Sequence, residues 1–304
     1  MNFLIKPISF LIIIFIGYFF KRIRLFKALD YKVINAIVLC ITLPCAVIQA
    51  FSRFERDPKL FLIVFFGFVC SIVPMMAAYL LTHRTQEARR VFMMINITGY
   101  SIGCFALPLI QSFYGSDGAV IACIFDIGNA IMMTGGAFAL TSTLLHTDGD
   151  EEKAGALSFI KKFVTSVPFD TYILMLLLAI FDIKIPDIII SLTAPAASAN
   201  AFLAMLMVGM MLEFEAKKEY LLDTAIVVLG RLVFGVVFAL LLFYFAPFEP
   251  EVRKVLAVLA FAPISALAPV YTERCRGDGA LSSFASSVSA LVSMATMTAL
   301  VYIF

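Results

Sequence analysis

Charge is scarce in this chain. Lys, Arg, Asp and Glu make up 14% of its 304 residues, where a soluble domain carries about 25%. That leaves too little polar surface to cover a water-soluble globule. The charges nearly cancel, to a formal +2, which gives no basic footprint for nucleic acid. Cysteine is sparse too, and six in the whole chain exclude a disulfide-stapled secreted scaffold. Cys40, Cys45, Cys70, Cys104 and Cys123 lie in apolar stretches and Cys275 in a polar one. No pair has metal-ligand spacing, so they read as small packing residues, and neither metal nor cofactor is expected. The two histidines, His83 and His146, sit at loop edges. No nucleophile stands at a plausible spacing from a base, and there is no Walker loop, so neither an enzyme nor an ATP-driven pump is expected.

What is abundant is hydrocarbon. Hydrophobic residues reach 62%, with 31 Phe and a mean hydropathy of +1.01, the opposite of a disordered chain. A membrane-spanning helix needs about 20 largely apolar residues. Ten stretches meet or approach that length: 3–20, 33–51, 60–81, 91–113, 119–145, 163–181, 188–212, 222–246, 252–271 and 280–304. Their connections are short and polar, such as "THRTQEARR" and "APFEPEVRK". The fold class is therefore an all-α integral membrane protein with ten transmembrane helices. The first stretch is preceded only by Lys6, lacks a small-residue cleavage site, and has its positive cluster after the apolar run. It reads as a retained helix, not a signal peptide.

Basic residues set the orientation. One set of loops holds Lys21, Arg22, Arg24, Lys27, Lys32, Arg84, Arg89, Arg90, Lys153, Lys161, Lys162, Lys217, Lys218, Arg274 and Arg276. The opposite set holds Lys6, Arg53, Arg56, Lys59, Lys184, Arg253 and Lys254. The richer side is the cytoplasm, which predicts a plasma-membrane protein with both termini outside.

The longest connection, "HTDGDEEKAGALSFIKK", divides the chain into a five-helix repeat at 1–145, a cytoplasmic linker at 146–162 and a second repeat at 163–304. Five helices per half makes the halves inverted relative to each other, a common plan of secondary transporters. At an offset of 161 residues, Pro7 pairs with Pro168 and Pro108 with Pro269. Asp117-Gly118-Ala119 likewise pairs with Asp278-Gly279-Ala280. The fourth and ninth spans carry internal prolines, which remove a backbone hydrogen bond and clash with the preceding turn. Broken helices survive in lipid only against protein or a wet cavity. Two matched interruptions therefore point to a binding site, and their half-helix N-termini favour an anionic group. Gly99 and Gly103 add a face of small residues that lets another backbone approach.

Charge inside a span is costly and faces the bundle interior. Asp126 lies three residues before Asn129, so the two share a helix face. Two readings stay open: a proton-accepting or ligand-positioning pair, or a structural lock with Asp126 hydrogen-bonded to the broken helix beside it. Arg231 is expected to snorkel to the inner surface, over the alternative of a counter-charge for an anion or for Asp126. Asn35, Thr42 and Gln49, spaced by seven, form a polar stripe in the second span. Ser191, Thr193, Ser198 and Asn200 do the same in the seventh, and Asn96 and Ser101 lie in the fourth.

The segment "GCFALPLIQSFYGSDGAVIACIFDIGN" resembles a motif of the auxin efflux carrier family, which includes bacterial malate-permease-type and plant PIN-like carriers. "INAIVLCITLPCAV" resembles its second helix. "SVPFDTYILMLLLAIFDIKIP" resembles its sixth, with Pro168 and Pro186 in place, and Arg231 fits its eighth. The chain departs from the family pattern at Ser101 and Leu267, where Asn is usual, and at Ala106, where Gly is usual. Either Pro263 or Pro269 could mark the second crossing. The resemblance implies a bile acid symporter/PIN-like fold with crossover helices 4 and 9 and a secondary-transport function. Helices 3–5 and 8–10 would move against a scaffold of helices 1, 2, 6 and 7, which also offers a homodimer contact.

The expectation is a permease or efflux carrier of a small organic anion, a carboxylate, working by an elevator-type crossover mechanism. The anion would bind near Ser101, Gly103 and Pro108, and near Ala262, Pro263, Ser265 and Pro269. Asp126 and Asn129 would flank it, with Asn35, Thr42 and Asn200 completing a polar cavity. Coupling to protons or to Na⁺ is left open. The alternatives are a sodium-coupled symporter of the bile acid symporter type and a membrane ligand sensor that moves nothing.

Overall fold

A computed structural model describes residues 5–27, 29–52, 59, 61–147, 166–214 and 217–304. Most of the expected linker, with Lys153, Lys161 and Lys162, lies outside the described residues, as do Arg53 and Arg56. Among the described residues there is helix and no strand. In chain order come α1 (Ile5–Arg22), α2 (Tyr31–Phe51), α3 (Phe61–Leu81) and α4 (Glu87–Ile97). A run from Ile102 to Leu145 follows. It splits at Gly115, whose φ of 67° and ψ of −153° leave the helical region, giving α5 (102–114) and α6 (116–145). Then come α7 (Val167–Ile180), α8 (Asp187–Met211), α9 (Lys218–Phe245), α10 (Pro250–Leu259), α11 (Ala268–Arg274) and α12 (Gly279–Ile303).

Among the described residues six helical runs are by themselves long and apolar enough to cross a membrane, where the sequence predicts ten spans. The difference has a physical cause. The stretches 91–113 and 252–271 are each interrupted, α7 has only 14 residues, and α1 is 18 residues long with Lys6, Lys21 and Arg22 inside it. Leu192, Leu229, Val233, Leu240 and Tyr244 are among the large apolar side chains exposed on α8 and α9, a surface that suits lipid and not water.

Two prolines shape the helices locally. Pro44 in α2 and Pro108 in α5 each follow a widened turn. Leu43 N–H donates to Val38 C=O and Leu107 N–H to Ile102 C=O, both five residues back. The wider turn takes up the carbonyl that a proline ring would otherwise strike.

The helices pack as two groups. The first holds α1, α2, α7 and α8, and the second holds α3 to α6 with α9 to α12. Each has a backbone-to-backbone contact made possible by glycine. A Cβ on Gly209 of α8 would sit 2.0 Å from the Ile14 carbonyl oxygen of α1. A Cβ on Gly128 of α6 would sit 1.9 Å from the Val64 carbonyl oxygen of α3. The α5–α6 run is the most enclosed, with 78% of its apolar window buried against 44% or less for the other five. It carries Asp126 and Asn129 through the centre of the molecule.

Gly128→Ala and Gly209→Ala force one of these helix pairs apart, and each is expected to cost about 1–3 kcal/mol. Gly230→Ala, which meets only the tip of the Ile97 side chain, leaves stability unchanged or slightly raised. Melting temperatures of the three purified variants check this.

Candidate functional site

Two interruptions meet inside the second group. The first lies between α4 and α5. Thr98 is extended (φ −83°, ψ 141°), Gly99 is left-handed at φ 66°, and Ser101 is non-helical (φ −81°, ψ 77°). Glycine is required at 99 both by this φ and by the Met133 sulfur, 2.4 Å from any Cβ there. The break exposes backbone groups that lipid cannot satisfy, and Asn129 of α6 pairs with both groups of one residue. Tyr100 N–H donates to Asn129 Oδ1 at 2.9 Å, and Asn129 Nδ2 donates to Tyr100 C=O at 2.8 Å. The same amide donates to Asp126 Oδ1 at 2.8 Å, and Ser71 of α3 donates to Asn129 Oδ1 at 3.0 Å.

The second interruption runs over 260–267, between α10 and α11. Pro263 lies within it, and Pro269 sits in the first turn of α11, whereas Pro108 follows the widened turn 102–106 that begins α5. The two candidate prolines thus have different places, one in the break and one opening the following helix. Ser289 of α12 accepts from the Ile264 N–H at 3.1 Å, a counterpart of the Asn129 contact. The breaks touch directly, with Ser101 N–H donating to Pro263 C=O at 3.0 Å.

Arg231 overturns the snorkelling expectation. It is 9% exposed and turns inward from α9. Its guanidinium donates to Asn96 C=O at 3.3 Å and Ile97 C=O at 3.0 Å from Nη1, and to Ala262 C=O at 2.9 Å from Nη2. It also lies 5.0 Å from the Tyr100 ring centroid, close enough for a cation–π contact. Nor is it a counter-charge for Asp126, because no ion pair links them among the described residues.

A cavity of about 490 Å³ opens beside the crossing. It brings together Asn35, Ser101, Gly103, Asp126, Asn129 and Ser265 from the predicted set. A smaller cavity of about 150 Å³ adjoins it, lined by Ser101, Pro263 and Pro269. The two share Tyr31, Ser101, Met211, Ala266 and Val270 in their walls. Ala262 lies instead beside Arg231, and Pro108 is buried behind the widened turn that begins α5. Thr42 and Asn200 meet each other, Thr42 Oγ1 donating to Asn200 Oδ1 at 2.9 Å, while Asn200 Nδ2 is buried without a partner. Gln49 likewise donates to Ile190 C=O and Thr193 Oγ1, so the polar stripe beyond Asn35 is a helix–helix joint.

Lys32 at the mouth and Asp126 at the base are the charged side chains lining the larger cavity. The amino end of α5, residues 101–104, opens into it; its N–H groups lie outside the helical ladder, Ser101 N–H being bonded to Pro263 C=O and Gly103 N–H turned to Asp126. A Cβ on Gly103 would fall 2.9 Å from both Leu43 of α2 and the Tyr172 hydroxyl of α7. Gly103 is therefore a point of close approach between the two groups of helices. Tyr172, which the sequence reading missed, is buried against Asp126, and its hydroxyl meets no hydrogen-bond partner of normal geometry. A tyrosine in an otherwise apolar span was the available signal, since its hydroxyl needs polar surroundings. Cys275, read as a loop residue, is fully buried at the end of α11.

A family profile described as membrane transport protein matches residues 3–303. The chain is also 25% identical over 221 residues to an uncharacterized transporter of Methanocaldococcus jannaschii, a match covering 68% of each chain.

Removing the Asn129 amide leaves Tyr100 N–H and C=O unpaired at the centre of the bundle. Asn129→Leu is expected to lose about 2–6 kcal/mol, at roughly 1–3 per orphaned group. Ser289→Ala, which orphans only Ile264 N–H, should lose about half of that. Thermal unfolding in detergent checks the order of the two.

Proposed function

The chain belongs to the membrane transport protein family, the auxin-efflux-carrier group that its motifs resemble, and from that premise we propose a secondary active carrier of a small organic anion, a carboxylate, driven by protons through Asp126. The observation that carries this reading is the shared cavity, where two broken helices cross and the amino end of α5 lies beside Asp126, whose carboxylate accepts from the Gly103 N–H.

The physical reasoning is electrostatic. The amino end of a helix carries roughly half a positive charge, which favours a carboxylate substrate at residues 101–104. Asp126 already looks into that space. Two unit charges 4 Å apart repel by about 4 kcal/mol at an effective dielectric of about 20, close to a thousandfold in affinity. An anion and an ionised Asp126 therefore exclude each other. A protonated Asp126 removes the repulsion and can donate a hydrogen bond, so anion and proton travel together. Lys32 at the mouth adds attraction for the approaching anion.

In this reading the chain crosses the plasma membrane ten times, as two inverted sets of five helices. α4 with α5, and α10 with α11, are the crossover helices. The cavity mouth, at Tyr31, Lys32, Ser166 and Met211, lies at the helix ends whose loops are rich in Lys and Arg. The positive-inside rule makes that side the cytoplasm, so the state described is inward-facing with both termini outside. The group of α1, α2, α7 and α8 is the static scaffold, and the group holding the breaks carries substrate past it in an elevator motion.

Thermal shift against a panel of mono- and dicarboxylates identifies the anion, and uptake into proteoliposomes follows it. Affinity for the wild type should fall about tenfold per pH unit once Asp126 ionises, one proton being bound with each anion. Asp126→Asn should bind with a flat pH dependence and lose accumulation driven by a proton gradient. Unchanged pH dependence in Asp126→Asn contradicts the proton reading. Failure of every carboxylate to stabilise the wild type contradicts the anion reading.

A further inference from the structure

Arg231 is a buried cation with no acidic partner among the described residues. A bare guanidinium inside a membrane bundle is costly, so its stabilisation has to come from elsewhere. The carbonyls it meets are special. Asn96 and Ile97 belong to the last turn of α4. Ala262 ends the tail of turns that continues α10, with Ala260 N–H bonded to Leu256 C=O and Ala262 N–H to Leu259 C=O. All three oxygens are therefore the unsatisfied carboxyl ends of the two half-helices that stop at the crossing. Each such end carries roughly half a negative charge, and the pair amounts to about one, which a single guanidinium balances.

In transporters built on broken helices, such carboxyl ends and unwound carbonyls are the kind of site that holds a coupling cation. We propose that Arg231 is a tethered cation filling that seat. A side chain of α9 thereby does permanently what a bound Na⁺ would do reversibly, and no Na⁺ enters the crossing with the substrate. The Tyr100 face at 5.0 Å completes the seat, and Asn129 fixes the backbone of that tyrosine. Arg231 acts through the two helix ends and touches no cavity-lining group except Tyr100, so it is a positioning residue. The inference rests on the carrier reading only in treating the seat as a coupling site.

The test uses purified full-length chain at constant ionic strength, with Na⁺ exchanged for choline, and reads melting temperature and proteoliposome uptake. Wild-type stability and uptake should not depend on Na⁺. Arg231→Ala should melt lower and be restored, saturably, by millimolar guanidinium and more weakly by Na⁺. Arg231→Lys should retain most stability without any added cation, while Arg231→Gln, which keeps donors but loses charge, should not. A saturable Na⁺-specific stabilisation of the wild type overturns the proposal, and that measurement needs no variant to fold. So does an Arg231→Gln protein as stable as wild type, or an Arg231→Ala protein that no cation restores. If the wild type transports no carboxylate, the carrier reading fails while the melting data still decide the role of Arg231.

Discussion

Four helix ends meet inside the bundle beside a cavity, and every backbone group freed there needs a partner. Each unsatisfied group in such surroundings costs several kcal/mol, so these partners dictate the rest of the site. Arg231 closes the two carboxyl ends. Asn129 and Ser289 close exposed groups of the two breaks, and the Ser101–Pro263 bond joins one break to the other. The amino end of α5 faces the cavity, with its Gly103 N–H turned to Asp126.

The same arrangement ties the proton site to the crossing. Asn129 Nδ2 divides its two protons between Tyr100 C=O and Asp126 Oδ1. A change in the charge of Asp126 is thus felt by the residue that holds the first break. α6, which carries both, is gripped by α3 through Gly128 and Gly67, so Asp126 and the break behave as one rigid unit. Across the cavity, the scaffold side offers Leu43 and Tyr172, packed where Gly103 has no side chain.

Much of this was legible in the sequence because the signals were chemical. A proline cannot continue a buried helix unaided; Pro108 lies behind the widened turn that begins α5 and Pro269 in the first turn of α11. A carboxylate and an amide three residues apart share a face, and Asp126 and Asn129 do bond. Asp126 meets the Gly103 N–H of the broken helix, Asn129 pairs with the backbone of Tyr100, and both line the cavity. Arg231 was misread because its distance along the chain from a loop says nothing of which way its helix turns it. Thr42 and Asn200 looked like cavity residues by composition. Whether a polar side chain faces a neighbour or a void depends on helix rotation, and they face each other. Tyr172 and Cys275 were missed for the same reason, as tertiary packing decides their surroundings.

The central claim is that the crossing is hydrated from one side. Native Cys104 lines the larger cavity, while Cys123, on the neighbouring helix, is fully buried. Chains retaining one or the other as sole cysteine, in inside-out vesicles, can be treated with a membrane-impermeant thiol reagent. The account predicts that Cys104 is modified from the cytoplasmic face much faster than Cys123, and that the identified anion slows it. Equal and negligible modification of both would contradict it.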